Sequence, residues 1–257
     1  MSREEVLRRE IVDYAHRVYA KGWVANHDGN LSVRLTETLT LCTPTAVSKG
    51  DVTPEMLIVV DAENKVVQGT RNSFSEIALH RACHRARPDI ACVIHAHPPT
   101  ATGFCVANRA LGEHFMTEPV VSLGASIPLI PFFSPKSKDL EQEIERALQK
   151  TDVIMMANHG VLAVGGSFEQ AFLRLELVEH LSKIALVANQ LGGAVAIPSN
   201  IVEELSQGGR PKSSPLFFKE HSLNLEDGAW KEAEADSPKE ARPNLQSLIA
   251  ASQRKFS

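Results

Sequence analysis

Aromatic residues are scarce in this chain, and positive charge is not in surplus. Aromatic side chains make up 5% of the 257 residues, and the formal net charge at pH 7 is -4. Nucleic-acid binding relies on basic surfaces, and single-strand binding adds aromatic rings on which the bases stack. The composition therefore predicts a protein that binds neither nucleic acid nor an anionic membrane surface.

Long apolar runs and closely spaced cysteines are also missing. No stretch approaches the roughly 18 apolar residues that would span a membrane. The opening residues, MSREEVLRREIVDYAHRVYAKG, carry charges where a secretory leader would be apolar. The cysteines are scattered without CxxC spacing, at Cys42, Cys83, Cys92 and Cys105. These absences predict a cytoplasmic protein with reduced thiols and no membrane contact.

The chain does contain alternating helical and strand-like patterns. Apolar residues at helical spacing predict helices over 3–20, 75–87, 136–150 and 167–191, and a further helix from Pro99. Runs such as LSVRL, LIVVD, CVIHAH, SIPLIPF and VIMMANHG predict strands. Several neighbouring strands are separated only by tight turns, which favours a mixed sheet in a layered α/β domain. We expect that domain to span 1–198, followed by a partly ordered or flexible extension over 199–257.

Three histidines are the strongest functional signal. His95 and His97 stand two apart in VIHAHPPTATGF, so they point to the same side of a strand and can converge on one ion. His159 ends a second apolar run, VIMMANHG. Three imidazoles with an open position are typical of a catalytic zinc site, and manganese, iron or cobalt are alternatives. The competing interpretation is that these histidines hydrogen-bond to backbone at strand ends.

Glu76 stands in the first turn of the helix that precedes the His95 strand. A carboxylate there can lie beside a metal and act as a general base if burial raises its pKa. The alternative is a glutamate favoured by the helix dipole. His80 and His84 follow at helical spacing; we expect His80 to support the site and His84 to lie on a solvated or half-buried face. Ser75 is the expected N-cap.

Taken in order, several motifs resemble the class II aldolase/adducin family over approximately residues 5–192: GNLSVR, TPT, SE before LHRACHRARPDI, VIHAHPPTATGF and NHG. The resemblance implies a three-layer α/β/α sandwich and a homotetramer with active sites at subunit contacts. It also implies a zinc-type ion on His95, His97 and His159, with Glu76 moving a proton at the carbon next to a carbonyl. We therefore expect a metal-dependent aldolase-type lyase that acts on a small hydroxy-carbonyl substrate through an enediolate.

The same resemblance places Asn30, Thr45 and Ser75 at phosphate-contacting positions, within or beside two turns, GNLS and TPTA, that suit an anion. Three positions depart from the pattern of the family's aldolases. Ala46 replaces a glycine, Phe74 replaces a serine and was expected to occupy space beside the phosphate, and Phe115 replaces a tyrosine. A further tyrosine of the C-terminal tail has no counterpart, because the only tyrosines are Tyr14 and Tyr19.

These departures predict a substrate that need not be a typical sugar phosphate. They leave other chemistry open on the same site: dehydration, epimerisation, decarboxylation or an iron-dependent oxygenase-like reaction. A non-catalytic, adducin-like binding module is the alternative from a different class.

Overall fold

The computed structural model describes residues 2–112, 114–124, 126–134 and 137–207. Its helices are α1 Arg3–Ala20, α2 Ile77–Ala86, α3 Pro99–Val106, α4 Thr117–Leu123, α5 Lys138–Leu148, α6 Phe168–Gln190 and α7 Ser199–Gln207. Its strands are β1 Asn30–Arg34, β2 Thr40–Cys42, β3 Ile58–Val60, β4 Val66–Gln68, β5 Cys92–Ala96, β6 Leu129–Ile130, β7 Val153–Met156 and β8 Gly160–Gly165. The predicted extension begins with α7, which packs against α4; its other residues, 208–257, lie outside the described part of the chain.

The strands form one sheet in the order β4-β3-β2-β1-β5-β8-β7-β6. Pairing is antiparallel throughout except between β6 and β7, which run parallel. The predicted mixed sheet is confirmed. The run SIPLIPF, predicted as a short strand, pairs only over β6, because Pro128 and Pro131 flank it and have no N–H to donate.

Alternating side chains of the central strands build two separate cores. On β5, Ile94 packs with α1, α3 and α6, whereas Val93 packs with α2 and α5. Leu162 of β8 joins Val93, and Val161 joins Ile94. Helices thus cover both faces of the sheet, and the three-layer α/β/α sandwich is confirmed. None of the described helices is long and apolar enough to cross a bilayer.

A buried ion-pair network ties together three elements: β7 and one helix from each face of the sheet, α2 and α6. Asp152, directly before β7, pairs at 2.6 Å with Arg87 after α2 and at 2.8 Å with Arg174 of α6. Arg174 also donates to the carbonyl of Val164 at 2.6 Å. Both Asp152 and Arg174 are buried. Hydrogen bonds to carbonyls and two cations around one carboxylate satisfy charges that would otherwise be costly to bury.

Candidate metal centre

His95 is fixed by the sheet itself. It lies on β5 opposite Asn30 of β1 and Leu162 of β8, and its side chain is buried. Its Nδ1 lies 3.0 Å from the carbonyl of Val161. A carbonyl only accepts, so Nδ1 carries the proton and Nε2 keeps a free lone pair. A hydrogen bond from the other ring nitrogen to a carbonyl typically orients an imidazole that ligates a metal.

His97 follows the end of β5 and is held through its backbone. Its N–H donates to the carbonyl of Trp23 at 2.8 Å, and its ring reaches towards His95 with Nε2 3.1 Å from that of His95. Two nitrogens bound at about 2.0–2.1 Å to one tetrahedral zinc would stand at about 3.3 Å from each other. The spacing therefore suits a shared ion.

His159 enters from the turn between β7 and β8. Asn158 takes a left-handed conformation there, with φ 55, and the N–H of His159 donates to the carbonyl of Met156. The ring centroid of His159 lies 4.6 Å from that of His95 and 5.6 Å from that of His97. One ligand atom from each of the three histidines lies within 4.8 Å of the other two. The predicted convergence is therefore present, in a cluster consistent with a divalent metal site.

Gly160 makes room for this cluster. A Cβ on Gly160 would stand 2.4 Å from Cδ2 of His97 and 2.8 Å from the carbonyl oxygen of Ala96. We expect Gly160→Ala to displace His97 and weaken metal binding by at least about 10-fold, the effect typical of disturbing a second shell. Equilibrium dialysis with Zn²⁺ measures it. Gly103→Ala on α3 is the matched control, because a Cβ there meets nothing within 4 Å; equal affinities in the two variants would contradict the prediction.

Glu76 points its carboxylate at the same cluster. Its Oε1 lies 2.7 Å from Nε2 of His159, its Oε2 lies 3.6 Å from Nε2 of His95, and Asn30 donates to Oε2 at 2.9 Å. Glu76 itself, not the expected Ser75, is the N-cap residue of α2, and no side chain caps this helix. The carboxylate that could cap the helix is turned towards the histidines instead.

Burial and charge set the protonation of the cluster. Burial lowers the pKa of His95 to about 4, although Glu76 opposes it, and also lowers the pKa of His97. Burial alone would raise the pKa of Glu76, but His95 and the hydrogen bonds from His159 and Asn30 hold that pKa below its usual range. The pKa raised by burial that would favour a general base is therefore not found at Glu76, where the pKa is lowered instead. Neutral imidazoles and an ionised carboxylate are the forms that ligate divalent ions.

The three residues expected to contact phosphate are arranged less favourably. Asn30 is buried and its amide is directed at Glu76. Thr45 and Ser75 are exposed, and the backbone N–H of Thr45 donates to the carbonyl of Asn72 at 3.0 Å. Phe74 is buried against Cys42, Ile58, Val60 and Ile77, so its ring fills a core rather than an exposed surface.

Ala46 is strained where the family's aldolases have glycine. Its φ is 57, in the left-handed region that an L side chain disfavours. Ala46→Gly is expected to raise the free energy of unfolding by about 1 kcal/mol, after the flexibility of glycine in the unfolded chain is subtracted. Urea denaturation measures the change. A loss of stability would show that the Ala46 methyl group makes compensating contacts.

Sequence reasoning missed three residues around the site. Asp28 places Oδ2 3.7 Å from Nδ1 of His97. Ser32 hydrogen-bonds to His80 at 2.6 Å. Glu179 on α6 is buried and accepts the backbone N–H groups of Thr100 and Ala101, so it caps the helix that follows His97. Only the strand register could have identified Asp28, since β1 runs antiparallel to β5 with Asn30 opposite His95, and Asp28 precedes β1 where His97 follows β5.

His80 and His84 differ in how well they were predicted. His80 is fully buried and hydrogen-bonds to Asn30 at 2.6 Å, so it supports the site as expected. His84 was expected on a solvated or half-buried face, and this is wrong, because it lies buried beneath Arg34 of β1. The sequence shows the helical spacing of these residues but not the strand that covers them.

Known proteins resemble this chain in sequence and in fold. A family model described as "Class II Aldolase and Adducin N-terminal domain" matches residues 9–186. A 5-methylthioribulose-1-phosphate/5-deoxyribulose-1-phosphate aldolase from Escherichia coli O45:K1 is 30% identical over 194 residues, which cover 75% of this chain and 89% of that protein. A 3-oxo-tetronate 4-phosphate decarboxylase from Escherichia coli O6:H1 is 27% identical over 187 residues, 72% of this chain and 88% of the other. The solved structure of an L-fuculose 1-phosphate aldolase matches with a TM-score of 0.73 and 26% identity, over 81% of this chain and 97% of that one.

Proposed function

Because the chain belongs to the class II aldolase and adducin family, we propose that it is a metal-dependent lyase of the aldolase type. It breaks or forms a carbon–carbon bond next to the carbonyl of a small hydroxy-ketone. The observation that carries the proposal is the convergence of His95, His97 and His159 with the Glu76 carboxylate beside them. A scaffold or binding module has no physical need for three imidazoles and a carboxylate at one point.

The donor set fits a divalent metal. His95, His97 and His159 would hold it, leaving a position open for substrate, and we propose zinc, with manganese, iron or cobalt as alternatives. A bound ion would polarise the substrate carbonyl and stabilise negative charge on the enediolate oxygens. The homotetramer and the cytoplasmic location expected from the sequence stand as further proposals, and the family resemblance supports them.

Glu76 is the residue proposed to move a proton. In aldol cleavage the departing carbon loses its hydroxyl proton and becomes an aldehyde, while the electron pair of the broken carbon–carbon bond stays on the carbon next to the ketone. An ionised carboxylate beside the cluster can take up the hydroxyl proton and deliver it to that carbon, and in the synthetic direction it removes the proton from the carbon. The hydrogen bond from Asn30 at 2.9 Å orients the carboxylate.

Decarboxylation is the second candidate, because the tyrosines used by the family's aldolases have no counterpart here and both tyrosines of this chain pack elsewhere in the fold. Loss of carbon dioxide from a β-keto acid leaves the same enediolate, but it requires no base to remove a hydroxyl proton from a departing aldehyde. Tyr14 is packed against Phe168 and Phe172, and Tyr19 lies over Gly50. A relative that matches 72% of this chain is named as a decarboxylase. Two assays separate the two reactions. Cleavage of 5-deoxyribulose 1-phosphate would indicate an aldolase, and release of carbon dioxide from 3-oxo-tetronate 4-phosphate would indicate a decarboxylase.

We propose that the substrate is not a typical sugar phosphate. The support is that the Asn30 amide is directed at Glu76 and that the Thr45 N–H is bonded to Asn72. Dihydroxyacetone phosphate and dihydroxyacetone form a matched pair of probes, since each can form an enediolate next to its ketone and the two differ only in the phosphate group.

Proton exchange and metal content test the proposed function together. The chain loaded with Zn²⁺, Mn²⁺, Fe²⁺ or Co²⁺ is expected to exchange hydrogen for deuterium in at least one probe, followed by NMR. Metal analysis is expected to give close to one ion per chain, and His159→Ala is expected to lose most of it. A chain that binds far less than one equivalent of every ion and exchanges neither probe would overturn the proposal and favour a binding module.

A further inference from the structure

A polar seam runs between β1 and α2. Side chains along a strand point alternately to the two faces of the sheet. Asn30, Ser32 and Arg34 therefore all point towards α2, while Leu31 and Val33 point into the opposite core. Two residues advance a strand by about 6.8 Å, and four residues advance a helix by about 6 Å, so the two spacings nearly match. His80, one such step along α2 from Glu76, therefore meets both Asn30 and Ser32.

The hydrogen bonds of this seam have only one consistent direction. Asn30 Nδ2 donates to Oε2 of Glu76 at 2.9 Å, so Asn30 Oδ1 faces the other way and accepts. Nε2 of His80 lies 2.6 Å from that oxygen and must carry a proton. Nδ1 of a neutral imidazole is then an acceptor, and the hydroxyl of Ser32 donates to it at 2.6 Å.

Reversing the Asn30 amide would place two acceptors face to face. Its Oδ1 would then stand against the Glu76 carboxylate at the distance of a hydrogen bond, with no proton between them. His80 prevents this, because its buried ring offers Asn30 a donor and not an acceptor. Burial also lowers the pKa of His80 to about 3, which keeps the ring neutral, so that only one of its two nitrogens carries a proton.

We propose that Ser32 and His80 are positioning residues that fix the Asn30 amide with its NH₂ towards Glu76 and thereby hold the carboxylate in its reactive orientation. The proposal rests on the proposed function, because it gives Glu76 the role of moving a proton. Neither residue touches the three histidines in the hydrogen bonds of the described chain. Their effect therefore reaches the reaction only through Asn30 and Glu76.

A purely structural role predicts a different outcome. If Ser32 only satisfied a buried histidine, Ser32→Ala would cost stability and leave the reaction unchanged in the folded protein. If Ser32 selects the protonation site of His80, its loss removes the donor to Nδ1, and both tautomers of His80 become populated. The Asn30 amide then loses its fixed direction, and proton transfer slows while the metal stays bound.

Ser182→Ala provides a matched control. Ser182 is equally buried and its hydroxyl donates to the carbonyl of Val178 within α6, far along the chain from the seam. The two substitutions remove the same atom from similar surroundings, so a difference between them in proton transfer reports the position and not the loss of a hydroxyl.

The experiment combines NMR of ¹⁵N-labelled histidine with deuterium exchange into dihydroxyacetone phosphate or dihydroxyacetone. The wild-type chain is expected to show His80 protonated at Nε2, whether or not Zn²⁺ is bound. Ser32→Ala is expected to show mixed tautomers and an exchange rate lowered by about 10-fold or more, with unchanged Zn²⁺ affinity. Ser182→Ala is expected to match the wild type in all three.

Two results would overturn the proposal: a wild-type His80 protonated at Nδ1, or an exchange rate in Ser32→Ala equal to that of Ser182→Ala. Absence of exchange in the wild-type chain would instead refute the proposed function, and with it the catalytic role of the seam. The tautomer spectrum would still report separately on the hydrogen-bond direction, so the two failures are distinguishable.

Discussion

Glu76→Gln is expected to slow proton exchange by about 10²- to 10⁴-fold, the usual contribution of a general base. Glutamine has nearly the same shape and still offers an oxygen to the Asn30 amide, so the cluster should keep its arrangement. It has no negative charge to take up a proton, and its NH₂ group cannot accept a hydrogen bond. Deuterium exchange into dihydroxyacetone phosphate, measured with saturating Zn²⁺, gives the rate.

Metal content decides how the result of Glu76→Gln is interpreted. The variant is expected to bind as much Zn²⁺ as the wild-type chain, because the three histidines are unchanged. Glu145→Gln is the control, since Glu145 pairs with Arg85 on the exposed side of α5 and should leave the rate unaltered. If Glu76→Gln loses its metal, the carboxylate is a ligand; if it keeps both metal and full exchange, Glu76 is not the base.

Asp152→Ala is expected to lower the free energy of unfolding by about 3–5 kcal/mol, the usual cost of breaking a buried ion pair by removing one partner. The substitution takes away the carboxylate that Arg87 and Arg174 share. Arg174 is buried and cannot be resolvated without opening the contact between α6 and the sheet. Urea denaturation followed by circular dichroism gives the difference through the midpoint and slope.

An exposed ion pair provides the comparison for Asp152. Glu176 pairs with Lys21 at 2.7 Å, but both side chains are well exposed. Glu176→Ala should therefore change the free energy of unfolding by no more than about 1 kcal/mol. Similar losses in the two variants would mean that burial does not strengthen the Asp152 network.

The parts of the fold and site that the sequence predicts are those with local, periodic signals. The 3.6-residue period of α1, α5 and α6 and the apolar runs of β5, β7 and β8 are visible without a partner. The same is true of His95 and His97, whose spacing of two places them on one face of any strand. The convergence of His159 could be predicted because it ends an equivalent core strand.

Features that depend on register and loop geometry were not predicted from the sequence. The short edge strand β4, the position of Asp28 opposite His97, and the burial of His84 each depend on which strand lies next to which. The choice of Glu76 over Ser75 as N-cap reflects a competition between local capping and the site, which local preference cannot resolve. Those errors lie close to the candidate centre, where functional needs override local rules.

The turn that carries His159 has a consequence for how such a chain can diversify. The three histidines are anchored by β5 and by a tight hairpin, whereas Thr45 and Ser75 stand on exposed loops. Loops can change their side chains with little penalty to the fold, while a change in the hairpin would disturb the sheet. The strand and hairpin that carry the three histidines can thus stay unchanged while substitutions in the surrounding loops alter the substrate specificity. A lineage built this way can hold both aldolases and decarboxylases.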